Sequence, residues 1–478
     1  MKKDYSKYFI PSITRSRQRT KNSATRCDFF SIDKSFLSLG KNHTFYIKTY
    51  GCQSNLRDSE DIVGILKKLD FKQASSIEKA DLIILNTCAV RENAEKKVFG
   101  KIGQFKSLKK LKPHSIFAVC GCMAQEEEVV NKIANQLKQV DLVFGTHNIH
   151  MLPEMLNEVI NQKQRVIYVQ SKEGDVIEGL PIDRSSKIKA FVNIMFGCDK
   201  FCTYCIVPYT RGQIRSRSKD DVLKEINQLI KDGYKEVTLL GQNVNSYGID
   251  FKHNYHFYDL LEDVAKTKIP RVRFVTSNPW NFDLKIVDVM KKYPNIMPYI
   301  HLPIQSGDEF ILKQMNRSMK IDDYLKIINC IRTNIPNCAI STDIIVGFPN
   351  ETDVQFENTI KLYEKVGFDN AYTFIYSPRS GTSAALIKDE ISLATKQERL
   401  SRLNEMVRKY AKWNSEQWVN KIVPVLVEGL SKTNKSTSTG YSPEWKVVNF
   451  SGKAKVGEIK NILITSASRF SLNGKVIE

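Results

Sequence analysis

Cys198-Asp-Lys-Phe-Cys202-Thr-Tyr-Cys205 follows directly on a run of β-forming residues, Phe191–Met195, and it sets how the rest of the chain reads. Three thiols on one compact loop match three corners of a 4Fe–4S cube and leave its fourth iron without a protein ligand. An open metal position can take a small chelating molecule. Structural zinc is the competing reading, but zinc takes four protein ligands, often as paired knuckles, and no fourth Cys or His stands near. A disulfide fails on the odd count within the motif.

Outward from this loop, runs rich in β-formers recur at Val237–Leu240, Val272–Thr276, Tyr299–Pro303, Ala339–Val346 and Ala371–Tyr376. Helical stretches such as Asp220–Lys231 and Asp322–Thr333 separate them. About six strand–helix units predict a partial or complete (β/α) barrel over 185–415, with its active-site residues at the C-terminal ends of the strands. Residues 383 to about 415 read as a charged helix bridging domains. From Val423 the pattern changes to short strands (Val423–Val427, Lys446–Phe450, Ile459–Ile464) punctuated by Gly429, Gly440, Gly452 and Gly457. This predicts a small β-barrel over 416–478.

Towards the N-terminus, residues 43–160 alternate strand and helix. Thr44–Tyr50 precedes a helix with Ile62, Ile65, Leu66 and Leu69 on one face. Asp81–Leu85, a polar helix from about Glu92, Ser115–Val119 and Asp141–Phe144 follow. Short buried strands between helices predict a parallel sheet, so the fold class is α/β throughout the first two domains. Cys52, Cys88 and Cys122 each stand just past the end of one of these strands. In an open α/β sheet those ends gather in one crevice, so three thiols far apart in sequence can meet. Chance burial of three unrelated cysteines is the bland alternative. Cys120, two residues before Cys122, keeps an alternative-ligand role open. Residues 161–184 read as a linker with weak extended character. Residues 1–42 read as a basic, largely disordered arm (Arg15, Arg17, Arg19, Lys21, Arg26), solvated or touching RNA.

The 478 residues are 42% hydrophobic and 26% charged, an ordinary globular balance. No apolar run is long enough to predict a transmembrane helix, and Met1-Lys2-Lys3 opens on no apolar signal region, so a cytoplasmic protein is expected. The net charge of +20, from 72 Lys and Arg against 52 Asp and Glu, suits a polyanionic partner as well as plain solubility. Ten cysteines in such a chain read as metal ligands or redox groups before disulfides. Cys27, Cys330 and Cys338 have no motif around them.

With Tyr204 before its last cysteine, the C-x3-C-x2-C loop at the mouth of a (β/α) barrel resembles that of the radical S-adenosylmethionine (SAM) superfamily. Tyr50-Gly-Cys-Gln-Ser-Asn55, Asn86-Thr-Cys-Ala-Val-Arg-Glu92 and Gly121-Cys-Met-Ala-Gln125 resemble the N-terminal motifs of its methylthiotransferases. Within that family the stretches Val90–Gly100, Phe144–Asn148, Cys202–Gly212, Leu240–Gly248 and His301–Gly307 are similar to the branch that acts on N6-dimethylallyladenosine in tRNA. Branches acting on threonylcarbamoyl-adenosine or on a ribosomal protein differ at the first motif. They remain the nearest alternatives, with a non-catalytic, metal-containing RNA-binding protein as a more distant one.

The resemblance covers residues from about 43 onward. It implies two 4Fe–4S clusters, one on Cys198, Cys202 and Cys205 that binds SAM, and an auxiliary one on Cys52, Cys88 and Cys122. It implies SAM as methyl donor and radical source, and methylthiolation at C2 of the modified adenosine at position 37, beside the anticodon. An external flavodoxin or ferredoxin-type protein would supply electrons to a monomeric enzyme. The last domain resembles TRAM, an RNA-binding barrel.

SAM-pocket candidates stand at the strand ends: Gly241, Gln242 and Asn243, then Thr276 and Ser277, then Gln305 and Asp343, with Tyr204 near the adenine. Each also reads as an ordinary loop or core residue. Arg211, Arg215 and Arg217 form a basic stretch beyond the cluster loop, read as a tRNA-phosphate contact or a solvated loop. Three departures from the family pattern stand out. Ser54 takes a place where Met is common, and Asn350 replaces a usual Gly. The Gly440–Lys446 loop lacks the expected Arg and Asp, so Trp445 and Lys446 are the candidates for stacking and charge on RNA.

Overall fold

The computed structural model describes residues 27–89, 92–170, 175–431 and 434–477, the stretch 92–96 by its backbone alone. The basic cluster Arg15 to Arg26 and the Val90-Arg91 pair lie outside the described residues.

Six parallel strands make the N-terminal sheet, in the order Lys72–Gln73, Thr44–Tyr50, Leu82–Thr87, Ile116–Gly121, Leu142–Phe144 and Val166–Tyr168. Leu82–Thr87 is buried at every position, as a strand covered on both faces must be. Its alternate residues face opposite cores. Leu82 and Ile84 pack with the helices Gln53–Lys68 and Leu152–Asn161, while Ile83 and Leu85 pack with Glu92–Leu111 and Glu127–Gln136. The chain reverses its direction of travel across the sheet between Thr44–Tyr50 and Leu82–Thr87, which makes their C-terminal ends a topological switch point. The register brings three strand ends level: Tyr50 lies opposite Thr87, and Thr87 opposite Gly121.

Two expectations change here. The stretch 161–184, read as a linker, supplies the edge strand Val166–Tyr168 and a second strand, Val176–Glu178, that pairs in parallel with Cys27–Phe29. The end of the stretch read as a disordered arm is therefore ordered from Cys27 on. Its basic composition masks Phe30, Ile32, Phe36 and Leu39, which pack against the sheet's core.

The middle of the chain forms two three-stranded parallel sheets. One runs Arg271–Phe274, Glu236–Leu240, Lys189–Asn193; the other runs Tyr299–His301, Ala339–Val346, Asn370–Ile375. A bridge between Val272 and Ile296 and the hydrogen bond from Ser277 N to His301 O (3.1 Å) join them. Among the described residues no pairing joins Lys189–Asn193 to Asn370–Ile375, so the (β/α) barrel is partial. One apolar core runs from Val192 through Val237, Val272, Ile300 and Ile340 to Phe368.

After the helix Leu393–Glu416, whose N-terminus Ser392 caps, five strands close a barrel: Ile422–Leu430, Ser438–Tyr441, Val447–Ser451, Ser471–Val476 and Ile459–Ala467. Ser438–Tyr441 and Ser471–Val476 escape the sequence pattern because they give the barrel's apolar core only Leu472, buried in it, and Val476, partly buried against it. Among the described residues, no helix is long and apolar enough to cross a membrane.

Candidate active site

The first cysteine triad stands on the loop after Lys189–Asn193. Gly197 makes the turn into it: its φ is +77°, and a Cβ there would lie 1.9 Å from Gln213 O, so only glycine fits. Backbone bonds fix the loop, Cys198 N to Gly212 O (3.0 Å), Cys205 N to Cys202 O (2.9 Å) and Thr203 N to Met315 O (3.1 Å). The buried Arg317 stacks on Trp280 with its guanidinium 4.6 Å from the ring centre. It donates to Tyr204 Oη (3.3 Å) and to Pro303 O, and lies 3.7 Å from Cys202 Sγ.

The second triad collects at the level strand ends of the N-terminal sheet. Cys52 precedes the helix Gln53–Lys68, Cys88 follows Thr87, and Cys122 follows Gly121. Asn55 Oδ1 lies 3.3 Å from Cys52 Sγ and 4.0 Å from Cys122 Sγ. The Asn55 amide is locked in turn. Its Nδ2 donates to Asn86 Oδ1 (3.0 Å) and to Thr87 O (3.0 Å), while Asn86 Nδ2 returns a bond to Asn55 O (2.8 Å). Gly121 has φ +94°, and a Cβ there would sit 2.3 Å from Asn86 Oδ1. Cys120 packs in the apolar core with Phe45, Ile62 and Phe144, while Cys122 belongs to a small cluster with Ala89, Ile206 and Tyr209. The alternative-ligand reading of Cys120 therefore fails: one residue of strand separates it from the turn that carries Cys122.

Arg211, Arg215 and Arg217 are buried, neither on a phosphate-facing surface nor in a solvated loop. Arg211 forms a forked pair with Asp58 (3.2 and 2.6 Å) and donates through Nε to Cys122 Sγ (3.1 Å). Arg217 grips Glu178 and Glu225, and Arg215 donates to Arg211 O (3.1 Å). The basic stretch is spent on stitching the two α/β domains together, which its composition alone does not reveal.

One cavity of about 890 Å³ joins the two triads. Cys52 and Cys88 line it from the N-terminal domain and Cys205 from the barrel loop. Of the SAM-pocket candidates, Tyr204, Thr276, Gln305 and Asp343 are on its wall. Gln305 is held at φ +77°, an uncommon conformation for such a residue, by its bonds to Asp343 O and Ile345 N. Gly241, Gln242, Asn243 and Ser277 are not on the wall. Gly241 packs on Met195. Asn243 is engaged with Ser246 and Asn278 N, so it shapes its loop. Gln242 Nε2 donates to Ser54 Oγ (3.3 Å), which gives the unusual serine a partner across the domain boundary. Gln242 Oε1 and Ser277 Oγ are buried without hydrogen-bond partners. Asn350 has φ +64°, the left-handed region that Asn enters most readily after Gly, which explains the replacement.

The loop offered for RNA contacts points inward. Trp445 lines the cavity, packs on Tyr299 (ring centres 5.0 Å apart) and lies under the Arg273 guanidinium (4.6 Å). Lys446 pairs with Asp369 (3.0 Å). Arg271 and Arg273 donate to four backbone carbonyls of the C-terminal barrel, from Pro424, Tyr441, Ser442 and Pro443. Both Trp445 and Lys446 therefore dock the barrel on the core, and the RNA-stacking reading of this loop is corrected. Sequence reasoning also passed over Asn55, Asp58, Asn86, Arg211 and Arg317 as a group that holds cysteines in place. Asn55 and Asn86 stood inside quoted motifs, beside the cysteines, and that proximity was the available signal.

The donor chemistry fits a polynuclear iron group. Burial pushes the Cys122 thiol up to about 12, with Arg211 opposing it and Cys88 and Cys52 adding to it. Burial does the same to Cys198, to about 12, and to Cys205. A bound metal cation removes that cost by holding the thiolate form. Among the described residues only Cys27, Glu178 and Asp221 bring three ligating atoms within 4.8 Å of one another, so neither cysteine triad is that tight. Two sulfurs at about 2.3 Å from one zinc lie at most about 4.6 Å apart. Neither triad, as placed, is drawn together as closely as a mononuclear zinc site requires.

Three parts of the chain match known families: residues 44–145 the Uncharacterized protein family UPF0004, residues 192–363 the Radical SAM superfamily and residues 416–477 the TRAM domain. The chain is 60% identical over 479 residues to the tRNA-2-methylthio-N(6)-dimethylallyladenosine synthase of Malacoplasma penetrans, covering 100% of this chain and 98% of the relative. The chain belongs to the tRNA-2-methylthio-N(6)-dimethylallyladenosine synthase family. The Bacillus subtilis member is 50% identical over 482 residues, with 99% and 95% of the two chains covered. Of solved structures, the radical SAM methyltransferase TsrM from Kitasatospora setae, with cobalamin and a 4Fe–4S cluster bound, superposes with a TM-score of 0.52 at 11% identity over 72% of this chain and 77% of that one. At that identity the likeness is one of fold. Membership in the synthase family and the radical SAM match make this chain a radical SAM enzyme with an iron–sulfur centre and SAM as cofactors.

Proposed function

We propose that this enzyme places a methylthio group on C2 of N6-dimethylallyladenosine at position 37 of tRNA, beside the anticodon. The observation that carries the reading is the single cavity that Cys52, Cys88 and Cys205 share with Tyr204, Thr276, Gln305 and Asp343. Its volume is ample for SAM and a nucleobase together. Cys198, Cys202 and Cys205 would hold the SAM-binding 4Fe–4S cluster, and Cys52, Cys88 and Cys122 an auxiliary one, each with one iron left free of protein ligands. When bound, these groups and SAM supply the sulfur, the methyl group and the radical that removes the hydrogen at C2.

The chain's own residues position and enclose. Tyr204, held by Arg317 through its hydroxyl, sets the wall beside the first triad. Gln305 and Asp343 offer polar groups to SAM, with Thr276 on the same wall. His301 backs Asp343, its Nε2 3.5 Å from Oδ1, and its Nδ1 is fixed on Ser341 Oγ (2.8 Å). Leu56, Ile345, Phe374 and Leu400 give the same cavity an apolar side, which suits a branched hydrocarbon substituent better than a charged one. Ala89, Ile206 and Tyr209 exclude water between the two triads.

The basic charge and the C-terminal barrel serve tRNA binding, electrons come from a flavodoxin or ferredoxin-type donor, and the enzyme acts as a cytoplasmic monomer. The test is an anaerobic reaction of reconstituted enzyme with dimethylallylated tRNA, SAM and a reductant, read by mass spectrometry of the nucleosides. A methylthio product on that substrate supports the reading. Product only on threonylcarbamoylated tRNA, or on no tRNA at all, overturns it.

A further inference from the structure

Arg211 is the residue on which the two halves of the site meet. It lies six positions after Cys205, beyond the short helix Val207–Thr210, so its backbone belongs to the loop that carries the first triad. Its side chain crosses to the second. Nε donates to Cys122 Sγ at 3.1 Å while the two terminal nitrogens hold both carboxylate oxygens of Asp58, on the helix that Cys52 begins. Arg211 and Asp58 are each more than nine-tenths buried. A forked pair fixes the guanidinium plane, so the direction of the Nε–H is set before any ligand arrives. Three further contacts fix the backbone behind it: Arg211 N donates to Val207 O (2.8 Å), Arg215 donates to Arg211 O, and Thr146 Oγ1 donates to Thr210 O (2.9 Å). Arg317 shows that a cation beside a cysteine is not enough, since it stands 3.7 Å from Cys202 Sγ and directs its better bonds to Tyr204 and Pro303 O.

We infer that Arg211 is a positioning residue that tunes the auxiliary cluster, raising its reduction potential through the N–H bond to Cys122 Sγ. This rests on the reading of Cys52, Cys88 and Cys122 as ligands of that cluster. The physical cause is that a hydrogen bond to a ligating sulfur withdraws charge from it and so favours the reduced, more negative cluster. Asp58 cancels most of the long-range charge of Arg211, which leaves the directed N–H as the main effect. The loop ties that tuning to the first triad, because any movement of the segment from Cys205 to Arg211 lengthens the bond to sulfur.

The test uses full-length chain with C198A, C202A and C205A introduced together, so that only the auxiliary cluster is present, reconstituted anaerobically and titrated with mediators under EPR. With Arg211 intact this protein is expected to hold about four irons; failure to hold any sinks the cluster reading itself, separately from this inference. R211Q in that background is expected to lower the potential by at least a tenfold change in the reduction equilibrium, about 59 mV for a one-electron couple. R211Q with D58N removes both charges and should keep most of that drop, whereas recovery of the original potential assigns the effect to charge and overturns the N–H account. R211K, which keeps the charge and loses the fork, should fall between. An unchanged potential with the irons retained overturns the inference. So does loss of the irons from both R211Q and R211K, which would make Arg211 a retention residue instead.

Discussion

The two cysteine triads differ in what the chain must do to assemble them. Cys198, Cys202 and Cys205 share one loop, and a single glycine turn with a few backbone bonds places all three. Cys52, Cys88 and Cys122 share nothing in sequence; they meet because three strands end level with one another at a switch point. A loop needs only its own geometry, whereas strand ends need the whole sheet beneath them. The second site should therefore be the first to fail when the fold is weakened, and each site should be removable without the other.

The largest effects come from removing one triad at a time. Replacing Cys198, Cys202 and Cys205 by Ala should abolish the methylthio product and SAM cleavage, and lower bound iron from about eight to about four per chain. Replacing Cys52, Cys88 and Cys122 should abolish the product and the same share of iron while 5′-deoxyadenosine still forms. Loss of cleavage in both variants would break the comparison. A core truncation sharpens it: Ile84→Ala, fully buried in the central strand, should cost about 2–5 kcal/mol. Iron counts during mild urea titration should then fall at the second triad before the first, and simultaneous loss would show that the two sites unfold as one unit.

Smaller effects are expected at the C-terminal barrel. Trp445→Ala loses two aromatic pairs, of which the one with Tyr299 crosses to the core, and one cation–π contact; the Tyr299 pair and the cation–π contact together are worth about 1–3 kcal/mol of domain docking. Differential scanning calorimetry should then resolve an earlier transition for residues 422–476, and an unaltered trace would show that the arginine-to-carbonyl bonds carry the docking. At the bottom of the scale, Cys330→Ala, outside both triads but partly buried against the (β/α) barrel's core, should leave iron content and product unchanged and cost about 1 kcal/mol or less of stability.

The local triad was legible from spacing alone, and the distributed one from the position of each cysteine after a run of β-formers. Short apolar runs such as Leu82–Leu85, set between helical stretches, gave the architecture, because a strand buried on both faces loses the polar alternation of a half-exposed one. What stayed hidden was the use of charge. Arg211, Arg217, Arg271 and Arg273 count toward a basic surface in any composition, yet each is buried on a carboxylate, a carbonyl or a thiol from another domain. Pairing across domains leaves no local pattern, so no window of sequence contains it. The same reason hid the inward turn of Trp445 and the ordered strand at Cys27–Phe29, whose partner lies far along the chain.

The indole of Trp445 has a consequence for how such enzymes can be rebuilt. It makes the terminal barrel one wall of the chamber that Cys52, Cys88 and Cys205 also line. A chimera that swaps this module for a foreign nucleic-acid binder would bring in an affinity and leave a hole. Unless the replacement carries a bulky ring at the same place, the chamber would open on that side and the bound reactants would lose a surface that fixes their positions.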